Sequence, residues 1–181
     1  MNRKGTVLLF LLISTVAKSE EEVWWLRETY RPTDTTIESL PISMISKDWS
    51  KASLLSESKL SIEAKKYLAW IRRQTDFGEV RYSKFRIEGD FNNDGWKDLA
   101  VVGTYQDKAS GYGRFLLILA QTKSGWKKAH LETTSGLPGF SVMHLSDGSI
   151  VWTDCFECDV GVVLEWKTNH YELVSPSDDE D

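Results

Sequence analysis

The stretch Asp90-Phe91-Asn92-Asn93-Asp94-Gly95-Trp96-Lys97-Asp98 carries side-chain oxygens at positions 1, 3, 5 and 9 and a glycine at position 6. Calcium is a hard cation that takes about six to eight oxygen ligands at about 2.3–2.6 Å. A short loop supplies that many only if alternate residues turn inward. Gly95 permits the sharp turn that wraps the chain around the ion. Trp96 then offers its backbone carbonyl at position 7. The expected ligands are Asp90, Asn92, Asp94, Trp96 and Asp98, and the expected cofactor is a structural Ca2+. An all-oxygen donor set suits neither zinc nor copper. The competing reading is an Asx-rich turn whose side chains cap their own backbone; it leaves the acid at position 9 without a role.

Cys155-Phe156-Glu157-Cys158 is the whole cysteine inventory. In an exported chain such a pair is expected as a disulfide. The spacing also suits redox enzymes, where a helix N-terminus and positive neighbours lower one thiol pKa. Asp154, Glu157 and Asp159 give the opposite field, and strand rather than helix is expected from Val160 onward. A zinc site needs four ligands, and His130, His144 and His170 show no paired spacing. The loop closed by the pair is so small that its contribution to stability is modest, which keeps a redox role open.

The fifteen residues Gly89 to Gly103, GDFNNDGWKDLAVVG, resemble the FG-GAP (VCBS-like) repeat of integrin α-subunits and many bacterial secreted proteins. The resemblance implies a calcium loop between two strands of a blade. Asp90, Asn92, Asp94 and Asp98 match the side-chain ligand positions of that family and Trp96 its carbonyl position. The motif occurs once, so the family's propeller and its ligand-binding role do not carry over. An EF-hand is a worse match, because position 12 is Val101 in an apolar run rather than a bidentate Glu.

These groups need elements to hold them. Met1 to Ser19 has a basic start at Arg3 and Lys4, an apolar run from Val7 to Ile13, and small residues at Ala17 and Ser19. It reads as a signal peptide cleaved near Ser19, the alternative being a short uncleaved anchor. Residues 20–78 read as helix and loop. Leu60, Ala64, Tyr67, Leu68 and Ile71 form a helical stripe with Ser61 as its cap. Asp48 to Leu55 reads as a shorter helix, and a single turn is expected at Val23 to Glu28. From Val80 the period falls to two. A bulged first strand is expected from Val80 to Ile87. Further strands are expected at 99–105, 114–122, 126–132, 141–145, 149–152, 160–166 and 171–174, joined by short turns such as Asp147-Gly148. Residues 175–181 form an acidic tail.

The expectation is a single α+β domain over 20–174, with the helical segment packed on an antiparallel, blade-like meander. A complete propeller is excluded, because residues 80–174 hold at most two blade lengths. A net charge of −5 offers no footprint for nucleic acid. No stretch after the leader is long enough to span a bilayer. The eight tryptophans are expected to fill a core, the alternative being an aromatic face for a glycan or peptide. Ser141 lacks the second glycine of a nucleophile elbow, and Gly111-Tyr112-Gly113 opens no helix that could hold a phosphate. The expected function is that of an exported, periplasmic or extracellular, non-catalytic protein: a binding or envelope-associated structural module with a protein or glycan ligand. The alternative is a thiol-disulfide redox protein using Cys155 and Cys158, or a metal-dependent hydrolase.

Overall fold

In the computed structural model, which describes residues 24–155 and 161–174, strand outweighs helix by 48% to 17%. The described residues are therefore mostly antiparallel sheet, with no closed barrel among them. It begins with a helical turn, α1 (Trp24–Arg27), a two-stranded ribbon of β1 (Thr36–Ile37) and β2 (Leu40–Pro41), and a second turn, α2 (Ile42–Ile45). Next come β3 (Trp49–Leu54), α3 (Ile62–Ile71), a 3-10 turn at Gly78–Tyr82 and β4 (Arg86–Gly89). The long strands β5 (Asp98–Asp107), β6 (Tyr112–Thr122) and β7 (Gly125–Ser135) follow. The last four are β8 (Val142–Ser146), β9 (Ser149–Thr153), β10 (Val162–Lys167) and β11 (His170–Val174).

The larger sheet has the order β3-β5-β6-β7, and β4 also pairs with β5. Because β6 runs along one edge of β5, β3 and β4 share the other, end to end. The smaller sheet is a meander of β8 to β11. A two-hydrogen-bond bridge between Lys84 and Met143 ties the strand leading into β4 to β8.

Successive residues of a strand face opposite sides, and β5 and β6 are covered on both. Ala100, Val102, Leu116 and Ile118 face the first core, with Ile150, Trp152 and Leu164 of the smaller sheet and Leu68 and Ile71 of α3. Leu99, Val101, Phe115, Leu117 and Leu119 face the second, under Ile37, Ile42, Ile45 and Trp49. Burial on both faces explains the unbroken apolar runs of these two strands. α3 forms as its stripe requires: Ser61 Oγ accepts from Ala64 N at 3.1 Å, and Ala64, Leu68 and Ile71 are buried.

Several expectations are corrected. Asp48 to Leu55 is not helical; Trp49–Leu54 is β3. A bulge between Trp49 and Lys51 breaks its period of two, so Trp49 and Ala52 both turn inward, three apart as on a helix. The described part of that segment, residues 24–78, is thus less helical than expected. Val80 to Tyr82 is not strand. Ser83 Oγ and Ser83 N both donate to Val80 O, at 2.5 and 2.9 Å, and this local bonding holds a 3-10 turn before the short β4. The strands after residue 80 fall in two sheets rather than one meander. Trp24, Trp25, Trp49 and Trp152 are core residues, but Trp70 and Trp96 are 41% and 45% exposed, outside it. Among the described residues no helix is long and apolar enough to cross a membrane. The leader and the acidic tail lie outside the described residues.

Candidate metal centre

The stretch from Asp90 to Lys97 connects β4 to β5, and the ladder beneath it closes on the pair Gly89–Asp98. Two left-handed residues turn it, Asn93 at φ 58° and Gly95 at φ 85°. Glycine takes that conformation without penalty and Asn tolerates it, which is why the turn falls there. The side-chain oxygens then collect the loop's own N–H groups. Asp94 N donates to Asp90 Oδ1 at 3.0 Å and to Asn92 Oδ1 at 2.9 Å. Gly95 N donates to Asp90 Oδ2 at 2.9 Å, and Trp96 N to Asp94 Oδ1 at 2.8 Å. The Asn92 amide closes the ring by donating to Asp94 Oδ2 at 3.0 Å. Asp90 and Asp94 remain exposed above this ring.

Asp98 differs from the other acids. It opens β5 and is fully buried. Its Oδ1 makes no hydrogen bond among the described residues, and Oδ2 accepts a long one, 3.5 Å, from the Tyr171 hydroxyl of β11. Burial pushes its carboxyl pKa up, and the charges of Asp94 and Asp90 push the same way; backbone N–H groups of Phe91 and Gln121 offset this in part. Burial, followed by the charge and hydrogen bond of Asp98, also raises the Tyr171 phenol far above its ordinary range.

The five sequence-derived ligands therefore lie on one hairpin, but the arrangement is graded. Asp90, Asn92 and Asp94 are knitted to one another, while Asp98 lies buried below them. Among the described residues no three His, Cys, Asp or Glu side chains stand close enough to hold a metal ion as they are. The donor chemistry fits a hard cation, and the incompletely bonded Asp98 oxygen is the group that such an ion would satisfy. Tyr171 was not identifiable as a neighbour from sequence. It lies 73 residues from Asp98, and a lone strand tyrosine carries no signal of such a contact.

Cys155 is buried, and its carbonyl accepts from Thr153 Oγ1 at 2.6 Å. Its expected partner, Cys158, lies outside the described residues; no free cysteine stands among those described. Of the histidines, His144 is buried with Nδ1 unbonded among the described residues, and burial lowers its pKa against a weaker opposing pull from Glu79. His130 is also lowered by burial, opposed by Glu132.

No protein-family model matches the chain, and no curated protein or solved structure is significantly similar to it.

Proposed function

We propose that the hairpin from Asp90 to Asp98 binds one calcium ion, and that the ion is a structural staple in an exported, non-catalytic module. Asp90, Asn92, Asp94 and Asp98 would hold it by their side chains and Trp96 by its carbonyl. The ion supplies positive charge against three carboxylates. The observation that carries the reading is Asp98, a buried carboxylate with one oxygen that makes no hydrogen bond among the described residues, beneath two further acids. The self-capped turn accounts for Asp90, Asn92 and Asp94 without a metal, but not for Asp98. The short likeness to the FG-GAP loop and the expected leader support an extracellular or periplasmic setting, where calcium sites of about 10⁻⁴–10⁻³ M suffice.

We read residues 20–174 as one α+β module in which α3 is an integral layer. We read Cys155 and Cys158 as a structural disulfide. The burial of Cys155 supports this, since an attacking thiolate needs access and a depressed pKa. The binding reading is tested by titrating calcium while recording amide NMR shifts. One saturable site per chain is expected, with shifts at Asn92 to Lys97, and Asp94→Ala should abolish it. No saturable shift in the wild type at about 10 mM calcium, well above such a Kd, would reject the reading.

A further inference from the structure

The outer edge of β5 is shared by two strands that leave it in opposite directions. β3 pairs with Gly103 to Asp107 and β4 with Asp98 to Val101. Between them Leu55 N donates to Val102 O at 3.0 Å, and Val102 N donates to Phe85 O at 3.2 Å. The hydrogen bonding of β5 is thus continuous, while the chain departs beyond Leu55 and returns at Lys84. The diverging backbones leave a crevice of ≈ 530 Å³, within the range of small-molecule sites, about 300–1,000 Å³.

Its walls are chemically divided. Half-buried Leu54, with the nearly buried Leu55, Phe85 and Val101, forms an apolar floor. Lys59, Arg72, Lys84 and Arg86 line it against only Glu38 and Glu57, so bases exceed acids by two on a chain of net charge −5. Both acids are already engaged, Glu57 by Arg72 at 2.5 Å and Glu38 by Arg86 at 2.6 Å. Lys59 Nζ donates to Leu54 O at 2.8 Å. Among the described residues no hydrogen bond or ion pair reaches the Lys84 ammonium. Its backbone is held by two hydrogen bonds to Met143, at 2.7 and 3.0 Å, which fixes the position from which that ammonium reaches.

We propose that this crevice binds a small amphipathic carboxylate, its apolar body on Leu54, Leu55 and Phe85 and its carboxylate at Lys84. The apolar floor supplies burial, and a charge-assisted contact to Lys84, the lining cation with no hydrogen bond or ion pair among the described residues, supplies orientation. The site is separate from the calcium loop and does not depend on it.

The test uses the full chain, with sodium octanoate as probe and amide NMR shifts as readout. Acetate carries the charge alone and 1-octanol the tail alone. Saturable shifts at Leu54 to Ser56 and Lys84 to Arg86 are expected with octanoate, and both controls should bind about tenfold more weakly or worse. Lys84→Gln should weaken octanoate about tenfold without moving the thermal melt, because that side chain is exposed. Three results would each overturn the proposal: no saturable shift at these residues, undiminished binding by the Lys84 variant, or acetate binding as tightly as octanoate.

Discussion

Replacing Asp98 with Asn keeps the shape of a fully buried side chain and removes its charge. Two readings of the loop then differ in sign. If Asp98 is only a structural acid held by Tyr171, the change weakens the chain equally with and without calcium. If it is a ligand, the change affects the two conditions in opposite ways. In chelator the buried carboxylate is a liability, since burial and the acids above it disfavour its charge. The Asp98→Asn chain should therefore melt at or above the wild-type temperature. With calcium the wild type gains RT ln(1 + [Ca]/Kd). At about 10 mM calcium and a Kd of about 10⁻⁴–10⁻³ M this is about 1.4–2.7 kcal/mol. At about 2–4 °C per kcal/mol for a chain of this size, the wild-type melt should rise by about 3–11 °C. The Asp98→Asn chain should gain almost none of that. Differential scanning calorimetry in calcium and in EGTA reads all four melts. A wild type that melts at one temperature in both buffers, or an Asp98→Asn variant that keeps the full calcium increment, refutes the reasoning.

Two further changes probe the frame around the site. His144 titrates lower in the folded chain than in the unfolded one, so below the ordinary histidine pKa of about 6.5 the unfolded state binds more protons. Its contribution is complete above that pH and declines as pH falls toward the folded pKa, at no more than about 1.4 kcal/mol per pH unit for one proton. Urea midpoints between about pH 7.5 and 5 should fall less steeply in His144→Gln than in the wild type; parallel slopes would remove His144 from the account. Gly103→Ala places a Cβ 2.4 Å from Ser53 O and 2.5 Å from the Phe115 ring, where β3 meets β5. The strands must separate, at a cost of about 1–3 kcal/mol, and an unchanged thermal melt would show that the contact is looser than these distances imply.

Much of the fold is visible in local pattern. The Ser61 cap and the Leu60–Ile71 stripe predict α3 because an isolated amphipathic helix carries its own period. The Asp147-Gly148 turn predicts β8 and β9, since both turn residues take positive φ as that hairpin requires. Patterns fail where a contact outside the pattern, distant or local, changes their meaning. β3 imitates a helix because its bulge is imposed by pairing with β5, more than fifty residues later. The segment at Val80 to Tyr82 imitates a strand because its apolar spacing is regular, while Ser83 binds the backbone into a turn.

The candidate site divides along the same line. The spacing of Asp90, Asn92, Asp94 and Gly95 is a property of nine consecutive residues, so the sequence names those donors and the turn that gathers them. What distinguishes a cation loop from a self-capped turn is the dielectric around Asp98, and that is made by strands. Its place at the start of the doubly covered β5 buries it, and β11, from the other sheet, brings the Tyr171 hydroxyl to it. Neither fact is carried by the motif. The crevice at Lys84 is more distant still from sequence, because no motif spans it. It exists because two segments thirty residues apart, Leu54–Leu55 and Lys84–Phe85, end on neighbouring residues of one strand. Short motifs therefore report which atoms could bind, and the shared edges of β5 decide whether those atoms are placed where binding relieves a buried charge or fills an apolar gap.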